Sequence, residues 1–236
     1  MTTTSTHSAP AHATAAPPYS RLIQIAAGVS LALAGLLNGL PQYVGDLLAG
    51  DRDFSEQIVW GAEHQVAHGT EQVLILVSSL FLPFGLLGLA QVTRWRARRL
   101  TLVAVPLVLW GMWGFHNVLA MGYVAGTVAP TVLPVSDAVA LNDEGLIGHT
   151  GVLLTALLPH LLGSFFGVLL LSIAAWRSGL FSRVACAAVI VFLVWDFFLP
   201  SYGVLEPHVL LAIGWTWLGI QIVRLPTATW RGGRVG

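Results

Sequence analysis

His64, His68 and Glu71 stand four and three residues apart. That spacing puts three side chains on one stripe of a helix, and Ile75 continues it. Imidazole nitrogens suit transition metals, and a carboxylate can complete such a shell. The zinc-protease form of this pattern needs Glu directly after the first His. Gln65 stands there, so that chemistry is rejected. Further along, His149 and His160 are eleven residues apart, almost three whole turns, on one stripe and about 16 Å apart along the axis. Asp196 lies between Trp195 and Phe197, and His208 is followed seven residues later by Trp215. His116 precedes Asn117, and Asn38 precedes Gln42 and Tyr43.

These residues admit three chemistries. In the first, His64, His68, His149, His160 and His208 are metal ligands beside the catalytic candidates Glu71, His116 and Asp196. The cofactor is then a transition metal, or a haem clamped between His68 and His149 or between His116 and His160. In the second, Glu71 or Asp196 protonates an apolar substrate without a metal. Trp113, Phe115, Trp195, Phe197 and Trp215 stabilise the resulting carbocation by cation–π attraction. That describes an isomerase or cyclase of a lipid or terpenoid. The third is proton-coupled transport, in which intramembrane Asp, Glu and His act as relays. Pro83 and Pro106, with Gly85 and Gly88, would mark the broken helices of a carrier, and a chain this small would have to form a homo-oligomer. The leading expectation is a membrane-embedded enzyme acting on a small apolar or lipid-like substrate, with the metal or haem form slightly ahead. Phosphate-binding glycine loops, Ser or Cys nucleophile elbows, paired-Cys metal motifs and aspartate-rich prenyl motifs are absent from their expected contexts.

Each candidate also has a plainer reading. His64, His149 and His208 at helix mouths can simply meet water. His68 and Glu71 can satisfy each other. His160, beside Pro159, can bond carbonyls freed by the proline. The deeper set is harder to dismiss. Glu71, His116, His160 and Asp196 come from four helices, and each costs about 2.5–3.5 kcal/mol to insert into lipid. Together they favour a shared functional cavity.

The elements that must position these residues are membrane spans. The 236 residues are 56% hydrophobic and 9% charged, against about 25% charged in soluble domains. Mean hydropathy is +0.77. Zero net charge argues against nucleic acid as a partner; membrane lipids and a small apolar substrate are the expected ones. The single cysteine, Cys186, excludes an internal disulfide. Residues 1–20 are uncharged and rich in Thr, Ala, Ser and Pro. They predict a disordered tail, not a signal peptide, with His7 and His12 idle in it.

Six apolar stretches follow, at about 22–40, 66–92, 102–125, 148–176, 183–199 and 208–223, the first stopping at Pro41. The expected fold is an all-α bundle of six transmembrane helices forming one domain over 21–225, with a short basic tail at 226–236. Long loops at 41–65 and 126–147 would form a lid. Threaded with the N-terminus in the cytoplasm, ten of the 11 arginines fall inside, Arg52 being the exception, and all 11 acidic residues fall outside or in the outer half of a helix. This satisfies the positive-inside rule and predicts a multi-pass protein of the cell membrane with both termini cytoplasmic. A weak repeat supports the threading. His68 precedes Trp95-Arg96, and His149 precedes Trp176-Arg177, by the same 27 residues. That offset of 81 aligns Asp196 with Phe115.

Overall fold

The computed structural model describes residues 19–50, 53–199 and 206–233. Of the tail expected at 1–20, residues 1–18 with His7 and His12 lie outside them, as do Asp51, Arg52 and Arg234, while Tyr19 and Ser20 already belong to a helix. Every regular element among the described residues is helical, in keeping with the all-α expectation. Four stretches are long and apolar enough to cross a membrane: Tyr19–Leu48, Gln65–Thr93, Arg98–Val132 and Thr150–Ser178. Two more helices are apolar but shorter: α9 (Arg183–Phe198) of 16 residues and α10 (His208–Arg224) of 17.

Helix α1 (Tyr19–Ala49) does not stop at Pro41 but runs through it for two further turns. A proline inside a helix removes one N–H and need not end it. Next to it, Gln42 Nε2 turns back onto Asn38, reaching its carbonyl at 3.4 Å and its Oδ1 at 2.9 Å. Helix α3 (Gln65–Thr93) and helix α4 (Arg98–Tyr123) likewise pass unbroken through Pro83 and Pro106, so the broken helices expected of a carrier are not seen there.

The two long loops are mostly helical. Helix α2 (Phe54–Glu63) starts at a capping box. Asp53 Oδ1 accepts the Glu56 N–H at 2.8 Å, and Glu56 Oε2 accepts the Asp53 N–H at 3.2 Å. The signal was present as Asp-x-x-Glu. Past α4, a π-helical turn (Val124–Val128) leads to α5 (Ala129–Val132), then α6 (Val135–Ala140) and a second π-helical stretch (Leu141–Ile147). Ile58, Ala129 and Ala138 pack these pieces into a small cap, and Ser55 Oγ bonds Asp143 Oδ2 across it at 3.0 Å.

The stretch Thr150–Ser178 begins as α7 (Thr150–Val152), widens through π-helical segments at Leu153–Leu157 and Pro159–Ser164, and ends as α8 (Phe165–Ser178). Gly179 terminates it at φ 68°, a left-handed conformation that glycine takes without a Cβ penalty.

The helices close a ring. α1 packs between α10 and α3, α3 on α4, α4 on α8 with its π-helical lead-in, α8 on α9, and α9 on α10. Leu31, Leu86, Val108, Leu171, Val189 and Leu218 fill the middle and are almost fully buried. At the α4–α8 crossing, a Cβ on Gly163 would meet the Gly111 backbone. The backbones therefore touch there, as small residues permit in apolar bundles.

The arginine-rich end is stitched together by polar side chains that cap helix ends. Gln24 Nε2 reaches the carbonyls of Ile222 and Leu225, each at 2.7 Å. Arg21 also bonds the Leu225 carbonyl, and Arg96 the Ser178 carbonyl, each at 3.3 Å. The last helix, α11 (Thr227–Trp230), docks through buried Trp230, whose carbonyl accepts from Gln91. The expected basic tail is thus partly a docked helical turn.

Candidate functional site

At the end of the bundle away from the arginines, α1, α4, the Pro159–Ser164 turn, α9 and α10 enclose a cavity of about 250 Å³. Its walls are apolar and aromatic, with Phe115, Phe192, Phe197 and Trp215 among them. Its polar groups are Asn38, Gln42, His160, Ser164, Asp196 and His208. This is small beside ligand pockets of about 300–1,000 Å³. It suits a compact molecule or one end of a longer chain.

The strongest polar feature is a row of three side chains. Glu206 is 2% exposed and lies two residues before His208, with Pro207 capping α10 between them. Glu206 Oε2 accepts the His208 backbone N–H at 2.7 Å, one of the donors a helix start leaves unpaired. Its Oε1 makes a short contact with His208 Nδ1. A carboxylate only accepts, so Nδ1 carries the hydrogen and Nε2 is left to act as a base. Nε2 faces Asp196 Oδ1 at 3.7 Å, beyond hydrogen-bond reach. Phe192 meets the imidazole edge-on, 5.1 Å between ring centres. Asp196 keeps 31% of its side chain open.

His160 faces this row from the π-helical turn. Its ring stacks on Phe115 at 5.2 Å and lies 5.9 Å from Phe197. Its Nδ1 pairs with Ser164 Oγ at 3.2 Å, a side-chain partner one turn on, not a carbonyl freed by Pro159. Phe115 and Asp196, the positions aligned by the 81-residue offset, line the same cavity.

The other candidates lie elsewhere. His64 is the break between α2 and α3, not the first position of a continuous stripe. Its Nδ1 meets the Trp60 carbonyl at 3.0 Å, and its ring stacks on the Trp60 indole at 4.6 Å. His68 is buried, edge-on to the same indole at 6.1 Å, and 3.8 Å from Glu71. Glu71 lines a second, open groove between α1 and α3. His116 pairs through Nδ1 with Ser79 Oγ of α3 at 2.7 Å. His149 is exposed and caps α7 by accepting the Gly151 N–H at 3.1 Å. His68, Glu71 and His116 therefore stand apart from the cavity that holds Asp196, His160 and His208.

Among the described residues, no three His, Cys, Asp or Glu side chains converge to hold a metal ion. The metal reading of His64, His68, His149, His160 and His208 therefore finds no ligand set. Of the proposed haem pairs, His68 is buried while His149 is exposed, and His116 and His160 each pair through Nδ1 with a different serine, which leaves Nε2 of each to other partners.

Sequence reasoning passed over Glu206, Ser164 and Ser79. Only Glu206 left a signal, an acid two residues before a histidine at a Pro-started helix. No family model matches the chain, and no curated protein or solved structure is similar to it.

Proposed function

We propose that the chain crosses the membrane six times with both termini in the cytoplasm, and that its cavity transfers protons to and from a small apolar molecule or the end of a lipid. The activity is that of a membrane-embedded acid–base enzyme of the isomerase or cyclase type. At 1.5 Å per residue, α9 and α10 measure about 24 and 26 Å. That is slightly short of a hydrocarbon core of about 30 Å, and local thinning covers the difference. The arginines at one end and the acids at the other support the orientation.

The observation that carries the chemistry is the Glu206–His208–Asp196 row at the polar pole of an aromatic-walled cavity. Protonated Asp196 delivers its proton to one carbon of a substrate double bond. The cation that forms faces Phe115, Phe197 and Trp215, whose ring faces attract positive charge. His208 Nε2 takes a proton from a neighbouring carbon, which shifts the double bond. That proton returns to Asp196 across the 3.7 Å gap, so the step balances without an added reductant or metal. Glu206 positions the imidazole and holds the hydrogen on Nδ1, as a carboxylate behind a histidine does in hydrolytic triads. Asn38, Gln42 and Ser164 orient any oxygen the substrate carries.

The test uses purified full-length protein in vesicles of extracted membrane lipid, incubated in D2O. The expected result is carbon-bound deuterium in one lipid class, read by mass spectrometry and absent with Asp196→Asn. If no lipid gains deuterium while a dye trapped in the vesicles reports protein-dependent proton movement, the enzyme reading is wrong and the chain is a carrier.

A further inference from the structure

We propose that the groove between α1 and α3 binds a membrane lipid by its primary-ammonium head group, read by Glu71. The groove holds about 740 Å³ and is separate from the cavity. Its α1 wall runs from Leu36 to Leu48, about 18 Å of helix, which is the length of an acyl chain segment and not of a compact substrate. Leu40, Val44 and Leu48 remain exposed along it, so it opens sideways, where lipid lies. Among the described residues, Glu71 is the one ionisable group lining it.

The carboxylate sits toward one end. A Cβ on Gly45 would come within 2.5–2.6 Å of the Glu71 carboxylate atoms, so the group lies in a notch against the α1 backbone. Its ion-pair partner, His68 Nδ1, is 3.8 Å away, too far for a hydrogen bond. A carboxylate held in apolar surroundings needs donors and a countercharge. Leu36, Leu37, Leu40 and Leu74 supply the apolar length deeper in the groove. The shape is one acidic pole and one greasy channel. A primary ammonium matches that pole with three N–H donors and a positive charge. A quaternary ammonium brings charge without donors, and a glycerol head on a phosphate brings the wrong sign.

The experiment is native mass spectrometry of the full chain released from vesicles of phosphatidylethanolamine, phosphatidylglycerol and phosphatidylcholine in equal parts. The expected result is retention of phosphatidylethanolamine roughly tenfold over the other two, what a charge-assisted hydrogen bond supplies. The preference falls below about twofold in Glu71→Gln and in Gly45→Ala, which fills the notch. Leu40→Trp, which narrows the channel, lowers retention of all three lipids. Circular dichroism melting confirms that each variant is folded. Equal retention of the three lipids by the unaltered protein overturns the proposal, as does a preference that survives Glu71→Gln. A lipid-free dimer also overturns it, since the groove would then seat a second copy of the chain. None of these readouts involves the cavity or its deuterium chemistry.

Discussion

The cavity and the groove share one end of the bundle but treat ionisable groups in opposite ways. In the cavity, Glu206 holds His208 through both a ring nitrogen and a backbone N–H, and Asp196 faces the ring's other nitrogen. In the groove, Glu71 stands 3.8 Å from His68, about as far as Asp196 stands from His208, and the other described residues lining it are uncharged. Polar groups arranged in a row can pass a proton, because each state of one is answered by its neighbour. A carboxylate beside a greasy channel, with one histidine 3.8 Å away, keeps acceptor capacity for what arrives from outside. The lesson is that polarity buried at one depth does not make one site; how each group is paired decides what it can do.

Four predictions bear on that contrast, in falling order of effect. Asp196→Asn should cut deuterium incorporation about 100-fold or more, since a positioned general acid contributes about 10²–10⁴-fold. A loss under about threefold would dissolve the row as a reactive centre. Glu206→Gln should cost about tenfold or more, the scale on which partners behind a histidine act. It should also displace the pH–rate profile, which a purely structural role would leave in place.

The third concerns packing beneath the cavity. A Cβ on Gly114 would overlap the Ala156 carbonyl and Pro159 Cβ, each at 2.6 Å. Gly114→Ala should therefore destabilise by about 1–3 kcal/mol, typical of overpacking, measured by thermal melting in detergent. The smallest effect belongs near the groove. A Cβ on Gly69 would touch only Thr127 Cγ2, at 3.4 Å. Gly69→Ala in α3 should be neutral or stabilising by up to about 1 kcal/mol through helix propensity. Equal losses from the two glycine variants would show that the regions are packed alike.

Much of the frame was legible. The apolar runs marked every long helix, since hydropathy depends on composition and not on neighbours. The spacing of His149 and His160 predicts one stripe three turns apart, but His149 is the N-cap before Thr150 and the residues between widen into π-helical turns, so eleven residues no longer make three whole turns. Pro41 misled because a proline inside an apolar bundle need not end a helix, and α1 continues through it. The loop expected at 41–65 is largely helix, because Asp53 and Glu56 form a capping box that starts α2. The π-helical widening around Pro159, which aims His160 and Ser164 together, left no mark in the residue order.

The sequence by itself determined a helical, lipid-compatible chain with arginines at one end and carboxylates and imidazoles at the other. Period and charge are properties of a single strand of residues, so they survive without a fold. The tertiary structure decided which side chains meet. Spacing fixes the stripe a residue occupies on its own helix, but the rotation of each helix against its neighbours is set by close contacts such as Gly214 of α10 on Ala185 and Val189 of α9. Those contacts turned Asp196 and His208 toward each other and left Glu71 and His116 to other faces.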